Sequence, residues 1–131
     1  MSRKRPMPTT AVPAQKNRSE ELIMAAVQLD GASITDWESF HTASAAVFGF
    51  PAFYGRSLDA WVDSLSYLRD QENMTKFLLK PNEMLEITIS NANILRTANP
   101  DLLEEITFCI AGINERYDDY GEKPALSLKL A

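Results

Sequence analysis

The chain has 131 residues, 45% of them hydrophobic, with a formal net charge of −5. That length suits one domain with a single apolar core, and no apolar run reaches the roughly 18 residues that a membrane-spanning helix needs. A single cysteine, Cys109, excludes an internal disulfide, and the opening MSRKRPMPTTAVPAQ has no apolar stretch behind its basic residues, so no export signal is read and a cytoplasmic location is expected.

Residues 1–19 are rich in Pro, Thr, Lys and Arg and lack apolar periodicity, so they are expected to form a basic flexible arm ahead of one domain over residues 20–131. The arm carries Arg3, Lys4, Arg5, Lys16 and Arg18 and no acid before Glu20, while the rest of the chain sets all 18 acids against eight bases. A body with that balance repels nucleic acid, so the folded domain is not expected to bind it directly, and it attracts basic proteins.

From Leu22 to Leu29 a compact apolar run reads as a buried strand, ended by an Asp30-Gly31 turn. Thr35 followed by Glu38 has the spacing of a helix capping box, with Ile34 placed to staple onto the first turn. Trp37, Phe40, Ser44 and Val47 continue that helix until Gly49 and Pro51 stop it. The loop FGFPAFYGRS is dense in aromatic rings, which must pack on the core or form a binding surface. Ser57 caps a second helix, expected over Leu58 to Leu68, with Leu58, Trp61, Val62, Leu65 and Leu68 as its apolar stripe.

Residues 69–82 are polar and carry Pro81; the form of Phe77-Leu78-Leu79 is not fixed by the sequence. Met84 to Ser90 alternates and is rich in β-branched residues, which predicts a strand. Asn93 to Ala98 reads as a helical turn or two. Asn99 and Pro100 open a long helix with Leu102, Leu103, Ile106, Cys109, Ile110 and Ile113 on its apolar side, ending between Tyr117 and Gly121. Pro124 to Leu130 alternates as a final strand. The order β-α-α-β-α-α-β predicts an α/β fold: a small three-stranded, mostly parallel sheet packed with about four helices.

Catalytic equipment is sparse. There is one histidine, His41, no phosphate-binding glycine loop, and no HExxH or CxxC pattern. Cys109 falls on an apolar stripe and reads as a core residue. No catalytic residue, metal site or cofactor is expected. Asp59, Asp63, Ser66 and Asp70 fall at i, i+4, i+7 and i+11 on one side of the second helix. Asp63 is a poor helix former beside a like charge one turn away, with no base at positions 60, 66 or 67 to offset it. Arg56 is the cation placed to reach Asp59 or Asp63 from the loop. A local rule broken without visible compensation points to a functional surface, although the same pattern occurs on merely solvated helix faces. Two exposed carboxylates are poor acid–base partners, since neither is buried enough to separate their pKa values, and no third metal ligand stands at defined spacing.

The stretch from Phe50 to Leu65, FPAFYGRSLDAWVDSL, resembles the signature of the barstar family: a proline, an aromatic pair ending Tyr-Gly, then Asn-Leu-Asp-Ala, an aromatic and Asp. The resemblance implies a small parallel three-stranded sheet with helices. It also implies an inhibitor, intracellular or an immunity protein, that blocks the active site of a small basic ribonuclease or ribonuclease-like toxin, with the second helix and the loop before it as the contact surface. Asp59, Asp63, Leu58, Ala60, Tyr54 and Gly55 match the motif. In it the acids stand in for RNA phosphates, which arginine binds much as it binds a carboxylate. Gly55 would allow the loop its tight bend. Ser57 replaces the usual Asn, Phe53 lacks a hydroxyl, Trp61 precedes Val62 where the family has Leu then Trp, and Arg56 adds a positive charge. Ser66 extends the same face. Glu115 is the nearest match to a supporting acid that the family carries on its last helix. These departures leave open a barstar-like module with a different, non-nuclease partner.

Overall fold

The computed structural model describes residues 22–131; the arm expected over residues 1–19 lies outside them. The elements are β1 (Leu22–Asp30), α1 (Trp37–Phe48), α2 (Leu58–Leu65), β2 (Glu83–Ser90), α3 (Ala92–Ala98), α4 (Pro100–Asp119) and β3 (Leu126–Leu130). The sheet order is β1-β2-β3 and both pairings are parallel. The expected three-stranded α/β fold with four helices is the one observed, with every strand parallel.

Sequential strand order has a direct consequence. Both crossovers step the same way across the sheet, and right-handed crossovers then place their helices on the same face. The alternation of the strands agrees: Val27, Leu29, Leu85, Ile87 and Ile89 are buried, while Gln28, Glu86 and Thr88 on the opposite face keep partial or full exposure. The core lies between that apolar face and the helices, where Phe40, Phe48, Trp61, Leu95, Leu102, Ile106 and Ile113 meet. Glycine is required after β1: a Cβ on Gly31 would lie 2.7 Å from the Asn91 carbonyl oxygen and 2.8 Å from that of Ser90. Asp30 ties this end of the sheet together, accepting from Ala32 N at 2.9 Å and from Asn91 Nδ2 at 2.8 Å.

Three local expectations are corrected. The cap of α1 is Asp36, not Thr35, and its capping-box partner is Ser39, not Glu38: Asp36 Oδ1 accepts from Ser39 N at 2.9 Å and Ser39 Oγ accepts from Asp36 N at 3.1 Å. Asp is the stronger cap, and Ile34, buried in the core, sets where the chain enters the helix. The second helix ends at Leu65, not Leu68. Its last turn tightens because Tyr117 of α4 intervenes: the Tyr117 hydroxyl donates to Leu65 O and accepts from Leu68 N, each at 3.0 Å. The final strand begins at Leu126, not Pro124. Asn114 Oδ1 takes the N–H groups of Ala125 and Leu126 at 3.1 and 3.0 Å, turning the chain into the sheet.

Residues 69–82 form turns and extended chain pinned by Arg69. Its side chain is only 6% exposed, lies over the Tyr117 ring, and donates to the carbonyls of Lys80, Glu83, Lys123 and Pro124. One guanidinium thus joins this segment, the start of β2 and the turn before β3.

Candidate functional site

The aromatic loop divides into a packed part and an exposed part. Phe50 stacks on Phe48 and lies 4.4 Å, centroid to centroid, from Tyr54. The Tyr54 hydroxyl stands 2.6 Å from His41 Nδ1. His41 is buried, and its pKa is lowered, first by that burial and then by the Arg56 charge. Burial raises the Tyr54 phenol well above its ordinary value. Both groups are therefore neutral near pH 7, and the histidine is occupied in anchoring the loop. Phe53, 74% exposed, projects from the tip.

Besides Gly49 at the end of α1, the left-handed residue in this loop is Arg56, at φ 54°, not Gly55, whose φ is not positive. A non-glycine residue there needs support. It comes from α1: Arg56 Nη2 donates to Thr42 Oγ1 at 2.8 Å and to Glu38 O at 3.1 Å. The guanidinium expected to reach Asp59 or Asp63 is held against α1 instead. Ser57 then caps α2, accepting from Ala60 N at 3.1 Å.

Helix α2 is oriented by what it buries. Trp61 packs between Phe40 and Phe48 and donates from Nε1 to Ser44 Oγ at 3.2 Å. Leu65 and Ser64 are buried on the same side. That orientation leaves Asp59 and Asp63 exposed, with Leu58, Val62 and Ser66 partly so. The aromatic of the motif is thus a core residue here, and the surface position after it holds the small Val62.

Asp63 is not uncompensated. Arg116 of α4 donates to Asp63 Oδ1 at 3.1 Å and to Ser66 Oγ at 3.1 Å. Arg116 stands 53 positions from Asp63, so no local spacing rule reveals the pair. Glu115 is exposed one position earlier on α4 and takes part in no ion pair among the described residues.

Burial, the Glu105 charge and the Asp59 charge all raise the Cys109 thiol, which keeps it in its unreactive protonated form. No group of three or more His, Cys, Asp or Glu that could hold a metal ion occurs among the described residues, and none of their helices is long and apolar enough to cross a membrane. What the surface presents is an exposed aromatic tip followed by carboxylates on one face of a rigid helix. Comparison with the curated proteins finds no match. Comparison with family models matches residues 24–129 to one described as Barstar (barnase inhibitor). The match spans the sheet, the four helices and the acidic face alike, and the chain belongs to the barstar family.

Proposed function

We propose that the chain is an intracellular inhibitor or immunity protein, not an enzyme, that binds and blocks the active site of a small basic ribonuclease or ribonuclease-like toxin in the cytoplasm. Its contact face runs from Phe53, Tyr54, Gly55, Arg56 and Ser57 through Leu58, Asp59, Val62, Asp63 and Ser66, with Glu115 at the rim. The observation that carries this reading is the exposed pair Asp59 and Asp63 on one face of α2, in a member of a family described by barnase inhibition. An enzyme that grips RNA phosphates holds a cluster of cations. Carboxylates on a preorganised helix offer those cations acceptors like the phosphate oxygens, at little conformational cost. Titrating barnase activity with the protein tests this. Wild type should inhibit, Asp63→Ala should weaken inhibition by about 3 kcal/mol because a buried cation on the enzyme loses its counter-charge, and Asp59→Ala should cost less. Inhibition by Asp63→Ala equal to that of wild type would remove α2 from the contact surface.

A second reading is favoured by Arg116. An arginine on Asp63 reduces the negative charge that a purely basic site would meet, which suits a module of the same fold with a non-nuclease partner. Capture of a partner that lacks nuclease activity, dependent on Asp63, distinguishes it.

A further inference from the structure

The Asp63–Arg116 pair is only half satisfied on each side. Arg116 uses Nη1 alone, shared between Asp63 Oδ1 and Ser66 Oγ. Ser66 Oγ gives its own proton to Val62 O at 2.7 Å, so it serves Arg116 as an acceptor. Arg116 Nη2 and Nε, and Asp63 Oδ2, take no hydrogen bond among the described residues. The two side chains are 49% and 61% exposed. Tyr117, next to Arg116, is fixed to Leu65 and Leu68 at the end of α2, which holds the α4 backbone in place under the pair. Arg116 also borders a cleft of about 630 Å³ whose lining, among the described residues, holds three carboxylates, Asp70, Asp119 and Glu122, and no cation but Arg116, so its charge is the positive end of an otherwise acidic surface.

We propose that Arg116 is a specificity-determining residue: with Asp63 it forms a recognition element of both signs, fitted to a partner that sets a carboxylate beside the basic group that Asp63 receives. The proposal rests on α2 being the contact face and adds to it the chemistry of the opposing surface. A cation approaching Asp63 takes the open Oδ2, while the free edge of the guanidinium, with donors on Nη2 and Nε, takes both oxygens of a carboxylate. A partner with cations only meets the Arg116 charge unrelieved and is disfavoured.

Two synthetic peptides test this, hexa-arginine and an alternating Arg-Glu hexapeptide, each titrated by NMR into full-length wild type, Arg116→Ala and Arg96→Ala. Arg96 is an exposed arginine on α3 bonded to Asn93, and its removal changes net charge equally. Arg116→Ala should tighten hexa-arginine and weaken the alternating peptide, shifting the ratio of the two affinities by up to about fivefold, the range of an exposed ion pair. Arg96→Ala should leave that ratio unchanged, and Asp63→Ala should abolish the effect of Arg116→Ala. A ratio that Arg116→Ala leaves at the wild-type value, or moves no more than Arg96→Ala does, overturns the proposal. Barnase inhibition measured with the same variants separates the two readings: a shifted peptide ratio with no inhibition by any variant sinks the ribonuclease reading and leaves the role of Arg116 standing.

Discussion

His41 shows how one buried side chain makes stability depend on pH. Its ring is packed against Phe40, Trp37 and Tyr54, with Arg56 the nearby charge. Burial first, then Arg56, lowers its pKa from the ordinary 6.5. Well above that value the ring is neutral in both the folded and the unfolded chain, and its contribution is fully present. As the pH falls below it, the unfolded chain takes up a proton that the folded chain refuses, so stability is lost down to the lowered folded value. The carboxylates of Asp30 and Asp36, lowered from 3.8 by their hydrogen bonds, add a loss of the same sign in a separate and more acid window. The urea midpoint should therefore drop between about pH 7 and pH 5, and His41→Asn, which keeps a polar atom near Nδ1 for Tyr54, should flatten that drop. An unchanged slope in the variant would assign the acid sensitivity to another group. His41 also illustrates a limit of sequence reading. Its place in a helix is plain from the pattern around it, but its partner Tyr54 is 13 positions away across a loop.

At the scale of elements, the junction between α2 and α4 decides how the acidic face is held. Tyr117 replaces the last helical hydrogen bonds of α2 with its own hydroxyl, and burial pushes its pKa up to about 12, so it stays protonated to donate to Leu65 O. Tyr117→Phe leaves the buried Leu68 N–H without its acceptor and should destabilise the fold by about 1–3 kcal/mol in urea unfolding. Faster amide hydrogen exchange should concentrate at Leu68 and the turn that follows; exchange raised evenly over the whole chain would show that the hydroxyl is not a local clasp. The same junction marks where sequence reading ends. Strand β2 and helix α4 were legible because alternation, Asn99 and Pro100 encode them within a few neighbouring residues. The i, i+4, i+7, i+11 spacing likewise put Asp59 and Asp63 on one helix face with Ser66 at its C-cap, but the expected Asp70 falls in the turns beyond the end of α2. The early stop of α2, the Arg116 contact and the anchoring of Arg56 on α1 were not legible. Each depends on a residue brought close by folding: Tyr117 for the stop, Arg116 for Asp63, and Thr42 for Arg56.

The molecule as a whole presents its acids against a small count of bases. The sequence outside residues 1–18 holds 18 acids and eight bases, while residues 1–18 hold five bases. Within the fold, α2 offers Asp59 and Asp63 beside two arginines with different restraints, Arg56 bound to α1 and Arg116 bound to Asp63. The long-range field is thus that of an anion, while the proposed contact surface carries both signs. These two levels act on different rate constants. On the proposed inhibitor function, the net field would steer a basic ribonuclease from a distance and set the association rate, whereas the local pairs would set how long the complex lasts. Raising ionic strength from about 0.01 M to 1 M shortens the screening length from about 30 Å to about 3 Å. Stopped-flow association with barnase should accordingly slow by about tenfold or more across that range, while dissociation changes far less. Asp59→Ala should flatten the salt dependence of association, because it removes an exposed charge that carries no ion pair among the described residues. Asp63→Ala should act mainly on dissociation, since Arg116 already offsets part of its distant field but does not occupy its second oxygen. If both variants instead changed the association rate alike and left dissociation untouched, the acidic helix would guide the partner without gripping it, and the gripping surface would lie elsewhere on the fold.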